Sequence, residues 1–185
     1  LSRMGTTHIR SHVDIDPDTG LRHVEACLRI REDFSGVMRI QLVAFPQSGI
    51  LVSPGVRELM DEALAMGVDI VGGLDPQSMD KNRSGHLDAV FALACKHGSG
   101  VDLHIHEPGE TGLASIRDVA HRAKALGMRD SVTISHGYAL GQVTDARRDA
   151  LLADMAEAGI SIVTSAPGAT VFPPVNVLLD AGVVY

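Results

Sequence analysis

Val101-Asp102-Leu103-His104-Ile105-His106-Glu107-Pro108 is a short, mostly apolar run carrying two histidines at alternate positions, then a carboxylate, then a proline. Side chains alternate between the two faces of a strand, so His104 and His106 are predicted to point the same way. Pro108 has no N–H to give to a ladder and ends the strand. Glu107 is left at the turn, able to swing back over the same mouth. An imidazole and a carboxylate at a strand's C-terminal end suit a metal ligand and a general acid/base. The plainer alternative is a histidine pair at a wet strand end beside a surface glutamate.

Outward from this stretch the same unit repeats. Strand starts are predicted near residues 8, 39, 68, 101, 131 and 160, with a seventh at 183. The first, His8 to Asp14, puts His8, Arg10, His12 and Asp14 on one polar face. Arg39 to Phe45 is nearly continuous apolar sequence, the mark of a strand buried on both faces. It stops at Pro46-Gln47-Ser48-Gly49. The strand from 160 ends at Ala166-Pro167-Gly168. Helical periodicity covers Leu21–Arg31, His86–His97, Ile116–Ala123, Thr144–Ala158 and Val175–Leu179. A further helix is expected after Ser53 as N-cap and Pro54 at the first helical position. Gly109-Glu110-Thr111-Gly112 reads as a loop.

Strands and helices alternating at about 30 residues per unit imply a parallel sheet with helices outside. Two folds fit: a doubly wound open sheet and a (β/α)8 barrel. His12, Gln47, Asp75, His104, Glu107 and His136 fall at the C-terminal ends of five different strands. An open sheet gathers its site at one switch point, whereas a barrel draws on every strand. No Gly-x-Gly-x-x-Gly follows the first strand and no Walker-type phosphate loop occurs. The α/β reading is therefore a TIM-type barrel forming one domain over residues 1–185. The chain opens on Leu1 and stops on Val183-Val184-Tyr185, the start of a strand. A piece cut from a longer protein is expected. Two apolar edges, Thr7–Val13 and Ile160–Thr164, would then lie open and make the piece poorly soluble.

Composition narrows the function. The 185 residues are 45% hydrophobic with a formal charge of −7, a balance that fits a globular chain with a large core and lacks the basic stripe of a nucleic-acid binder. No apolar run is long enough to span a membrane. Cys27 and Cys95 sit in helix-like apolar patterns and read as buried, reduced thiols of a cytoplasmic protein. His23, His86, His97 and His121 fall in helix patterns and read as surface or helix-end residues.

Four segments resemble the cytosine deaminase-like branch of the amidohydrolase superfamily. They are Gly5-Thr6-Thr7-His8-Ile9-Arg10-Ser11-His12-Val13-Asp14, Leu42-Val43-Ala44-Phe45-Pro46-Gln47, Asp102-Leu103-His104-Ile105-His106-Glu107 and Thr133-Ile134-Ser135-His136. The resemblance implies a metal-binding (β/α)8 barrel in which the strand near 8 is the second of eight and the one at 183 the eighth, so that the barrel is incomplete, its first strand and most of its eighth missing. It implies one divalent metal ion, zinc or iron, with His104 as a ligand. Glu107 matches the catalytic acid/base, and His136 the histidine near the metal and its water. Gln47 matches the amide that hydrogen-bonds the pyrimidine edge. The family's first-strand His-x-His pair would precede Leu1, and its metal-binding Asp would follow Tyr185.

The implied reaction is hydrolytic deamination of an amino-substituted heterocycle such as cytosine. A metal brings the pKa of its bound water towards about 7, and the hydroxide attacks the ring carbon while Glu107 shuttles the proton. His136 would stabilise the oxygen electrostatically. Glu107-Pro108-Gly109-Glu110 and Asp75-Pro76 depart from the loops of true cytosine deaminases. They point as an alternative to an N-alkylamino-triazine or a cyclic amide. The partners implied are a small heterocyclic substrate and, when intact, further copies of the same chain. Two other classes compete. A phosphate-binding lyase or aldolase would need a late Gly-rich phosphate loop and a strand-end lysine, but Gly168 is isolated and Lys81, Lys96 and Lys124 fall in loop or helix patterns. The other is an inactive fragment.

Overall fold

A computed structural model describes residues 1–164 and 171–185. Six parallel strands run β1 (His8–Asp14), β2 (Arg39–Phe45), β3 (Ile70–Leu74), β4 (Gly100–Ile105), β5 (Val132–His136) and β6 (Ser161–Val163). They pair in sequence order from β1 to β6. Between them lie α1 (Arg22–Asp33), α2 (Val56–Ala65), α3 (Arg83–His97), α4 (Gly109–Ala125), α5 (Ala139–Gln142) and α6 (Asp145–Ala158), with α7 (Val175–Asp180) after β6. A doubly wound sheet reverses its strand order at a switch point. Unbroken order is that of a barrel wall.

The sheet curls. Arg10 Nη1 on β1 donates to Thr133 Oγ1 on β5 at 3.1 Å. On a flat sheet those strands would be four spacings, roughly 19 Å, apart, beyond the reach of one arginine. The concave face carries Arg10, His12, Asp102, His104 and Thr133. The convex face supplies Leu42, Ala44, Val71, Leu103, Ile105 and Ile134 to the apolar core. That core is completed from the helices by residues such as Met60, Leu87, Val90, Ile116, Val119 and Met155. Period-two alternation in the strands thus sorts chemistry to one side and packing to the other.

Several local expectations are corrected. Gly109–Gly112 is the first turn of α4, capped by Pro108. Proline fixes φ and the following glycine starts the turn, so the residues that read as loop open a helix. Ser53-Pro54 does not cap α2. Its N-cap is Gly55, and the Ser53 hydroxyl turns back to the Ser48 carbonyl at 2.6 Å. Only the C-terminal half of β2 is buried. Cys95 is exposed and Cys27 half-buried, and both are free thiols. His86, read as a surface residue, is fully buried. The β6 edge is not wholly open, because Ser161 bridges Val184 in parallel and Ile162 donates to the Val184 carbonyl. Ala166-Pro167-Gly168 lies outside the described residues. Among the described residues no helix is long and apolar enough to cross a membrane.

Candidate active site

The C-terminal ends of β1, β4 and β5 bring three imidazoles to one mouth. His12 and His104 approach Nε2 to Nε2 at 3.0 Å. His136 Nε2 stands 3.4 Å from His104 Nδ1. His106, two residues on from His104, lies with its ring centroid 4.1 Å from that of His136. Phe45 at the end of β2 packs on His12 and His104, with centroids 5.2 and 4.8 Å away. Alternation along the strands puts His12, Phe45, His104 and His106 on the concave side, whereas His136, paired with Ile105 and in phase with the core residue Ile134, reaches the mouth through its left-handed backbone, φ 74°.

Two sets of ligand atoms lie within 4.8 Å of one another: His104, His106 and His136, and His12, Asp102 and His104. His104 belongs to both. Burial, reinforced by the neighbouring His12, lowers the His104 pKa to about 4. The ring is therefore neutral near pH 7, with a lone pair available. Burial and His106 lower His136 as well. Neutral imidazoles beside a carboxylate form a donor set suited to a divalent cation.

Beneath the histidines Asp102 is 1% exposed. Its carboxylate accepts from Arg10 Nη1 at 2.7 Å and from the Ser135 hydroxyl at 2.9 Å. His12 Nε2 lies 3.7 Å away. Burial alone would raise the Asp102 pKa, but His12, Arg10 and Ser135 outweigh it and hold it below the ordinary carboxylate value.

Glu107 is 2% exposed. It does not swing free over the mouth. Oε1 accepts the Gln77 and Ser78 amides, each at 2.7 Å, and Oε2 accepts the Ser115 hydroxyl. Asp75, at the end of β3, accepts the His106 amide at 2.6 Å and the Glu107 amide at 3.2 Å, and meets His106 Nδ1 at 2.9 Å. The acid is thus held rigidly one residue beyond the histidine ladder. Asp75 and His136 both have positive φ, 38° and 74°, a conformation costly for non-glycine residues and concentrated at functional sites.

Of the residues singled out from sequence, His104 and His136 meet, and Glu107 is anchored beside them. Gln47 lies two residues past β2 and is exposed, with no side-chain hydrogen bond to the three others among the described residues. His12 and Asp75 were visible as strand-end polar residues without an assigned role. Arg10 was visible on the polar face of the first strand, again without a role, whereas Asp102 and Tyr138, whose hydroxyl lies 3.2 Å from His136 Nδ1, were not singled out. Asp102 alternates in phase with His104, and that phase is the clue that could have found it.

The chain is similar to several known proteins. A crystal structure of N-isopropylammelide isopropylaminohydrolase from Burkholderia multivorans is 47% identical, with a TM-score of 0.96, over 98% of this chain and 47% of that one. N-isopropylammelide isopropyl amidohydrolase from Pseudomonas sp. (strain ADP) is 35% identical over 97% of this chain and 44% of its own length. A 5-methylcytosine deaminase from Klebsiella pneumoniae, solved with 5-fluorocytosine, is 32% identical with a TM-score of 0.84, covering 99% of this chain and 48% of that one. The chain thus spans about half the length of these relatives. The sequence pattern of the amidohydrolase family matches residues 5–185, and with that match the chain belongs to the amidohydrolase family.

Proposed function

We propose that the protein is a metal-dependent hydrolase that replaces an amino or alkylamino group on a nitrogen heterocycle with oxygen. The observation that carries this reading is the convergence of His12, His104 and His136 at the mouth, beside a glutamate pinned by three donors. The two ligand sets that share His104 fit a divalent cation, with zinc or iron as candidates. Such a cation supplies an acidified water and Lewis acidity at neutral pH. In net terms a ring C–O bond forms from water, the ring C–N bond breaks, and the amine leaves with a proton.

The chain's own residues divide the remaining work. Glu107 takes the proton released by water and delivers it to the ring nitrogen and then to the leaving amine. His136, oriented by Tyr138, hydrogen-bonds the developing oxygen. Gln47 offers both a donor and an acceptor to a lactam-amidine ring edge. In this reading β1 is the second strand of an eight-stranded barrel.

An N-alkylamino-triazine is the first substrate to test, since the 47% identical structure is that of an N-isopropylammelide isopropylaminohydrolase. Cytosine is the second, on the 5-methylcytosine deaminase likeness. The test is release of isopropylamine or ammonia by the full-length, metal-loaded protein. Release from either ring supports the reading. Metal-loaded, folded protein that releases amine from neither overturns it.

A further inference from the structure

Outside the histidine cluster the described interior holds a second buried ionisable pair. Asp80 and His86 both have fully buried side chains, with His86 Nδ1 2.6 Å from Asp80 Oδ2. The pair lies below the loop between β2 and α2, the loop that carries Gln47. Asp80 accepts three successive amides of that loop, Ile50, Leu51 and Val52, each at 3.2 Å. Among the described residues these amides have no other acceptor.

The surroundings are shaped to admit the pair. A Cβ on Gly49, whose φ is +92°, would lie 2.6 Å from Asp80 Oδ1. A Cβ on Gly73 of β3 would lie 2.7 Å from His86 Nε2. Among the described residues that Nε2 has no hydrogen-bond partner, and His86 is held there through its bond to Asp80. The two glycines and the buried histidine therefore serve one geometry, in which a carboxylate gathers the loop's amides.

The segment that supplies Asp80 also reaches the other half of the site. Asp75 holds the His106 and Glu107 amides, and the Gln77 and Ser78 amides hold Glu107. Residues 75–80 are thus a crossbar between the acid and the Gln47 loop.

We propose that Asp80 and His86 are positioning residues that set the Gln47 loop against the Glu107 side of the site. The inference rests on the proposed role of Gln47 at the substrate ring. A merely stabilising pair would leave loop geometry and substrate affinity unlinked.

The experiment uses the full-length protein and the variants Asp80→Ala, His86→Phe and His86→Asn. Asparagine at 86 can place an amide donor near the Nδ1 position, whereas phenylalanine cannot donate. Hydrogen exchange at Ile50, Leu51 and Val52 is read against β4 amides. Asp80→Ala and His86→Phe are expected to speed loop exchange roughly tenfold or more, with β4 unchanged. KM for the turned-over heterocycle should rise about tenfold with kcat nearly constant, the signature of lost uniform binding. His86→Asn should restore both readouts. Unchanged loop exchange in folded Asp80→Ala overturns the positioning role. Faster loop exchange with unchanged KM overturns the link to substrate. If Gln47→Ala leaves KM unchanged, the proposed role of Gln47 fails and the link to substrate with it, whereas the exchange data still decide whether the pair sets the loop.

Discussion

The Nε2 atoms of His12 and His104 lie 3.0 Å apart, although two other strands separate β1 from β4. One ring must donate to the other, a contact that a cation shared by both would replace. His104 belongs to both candidate ligand sets and His12 to one. His104→Ala is expected to weaken zinc affinity more than about 100-fold, beyond what outer partners usually cost. His12→Ala should cost about tenfold. Calorimetric titration of the full-length protein checks both, and full affinity in His104→Ala would remove it as a ligand.

Glu107→Gln should fold and keep its metal. The glutamine oxygen can still accept the Gln77 and Ser78 amides, and the Ser115 hydroxyl can turn to accept from the new NH2 group. Turnover should fall by about 10²–10⁴-fold, the span of general acid/base catalysis. Metal content and amine release measured on one preparation separate the two effects. Near-normal turnover would take the proton-transfer role from Glu107.

The His104 pKa of about 4, set first by burial and then by His12, makes a pH prediction for metal-free protein. The unfolded chain takes up a proton near pH 6.5, while the folded ring refuses it until about 4. This contribution to stability is complete above 6.5 and is lost as pH falls towards 4. Ring resonances of His104 followed by NMR should stay unshifted from pH about 8 to about 5. A midpoint near 6.5 would contradict the burial argument.

Arg10→Met strips Asp102 of its main partner while the carboxylate stays 1% exposed. Removing one member of a buried pair typically costs 3–5 kcal/mol. About 3 kcal/mol is expected here, because the Arg10 side chain is 33% exposed. Combining it with Asp102→Leu should recover most of the loss, since no charge is then left buried. Urea unfolding of the two variants measures the difference, and equal losses would show that the charge is not what matters.

Much of the fold is legible along the chain because burial imposes periodicity. The two-residue alternation Asp102, His104, His106 and the 3.6-residue stripe Ile116, Val119, Ala120, Ala123 each mark an element without knowledge of its neighbours. The boundaries read less well. Gly109–Gly112 has loop chemistry and forms a helical turn because Pro108 presets the entry and Glu107 is tied to Ser115. His86 shows the same limit. Its helical position is evident, but a partner six residues earlier decides that its face is buried.

The sequence by itself determined that strands and helices alternate and that polar residues, His104, Glu107 and His136 among them, gather at strand ends. These are local properties, set by the period of each element and by where proline and glycine interrupt it. Only the tertiary structure decided that Arg10 meets Asp102 across 92 positions, that Glu107 is anchored by three donors, and that Asp80 gathers the Gln47 loop. Those contacts exist because the parallel sheet curls, and the curl is a sum over strand pairs that no single stretch of sequence carries.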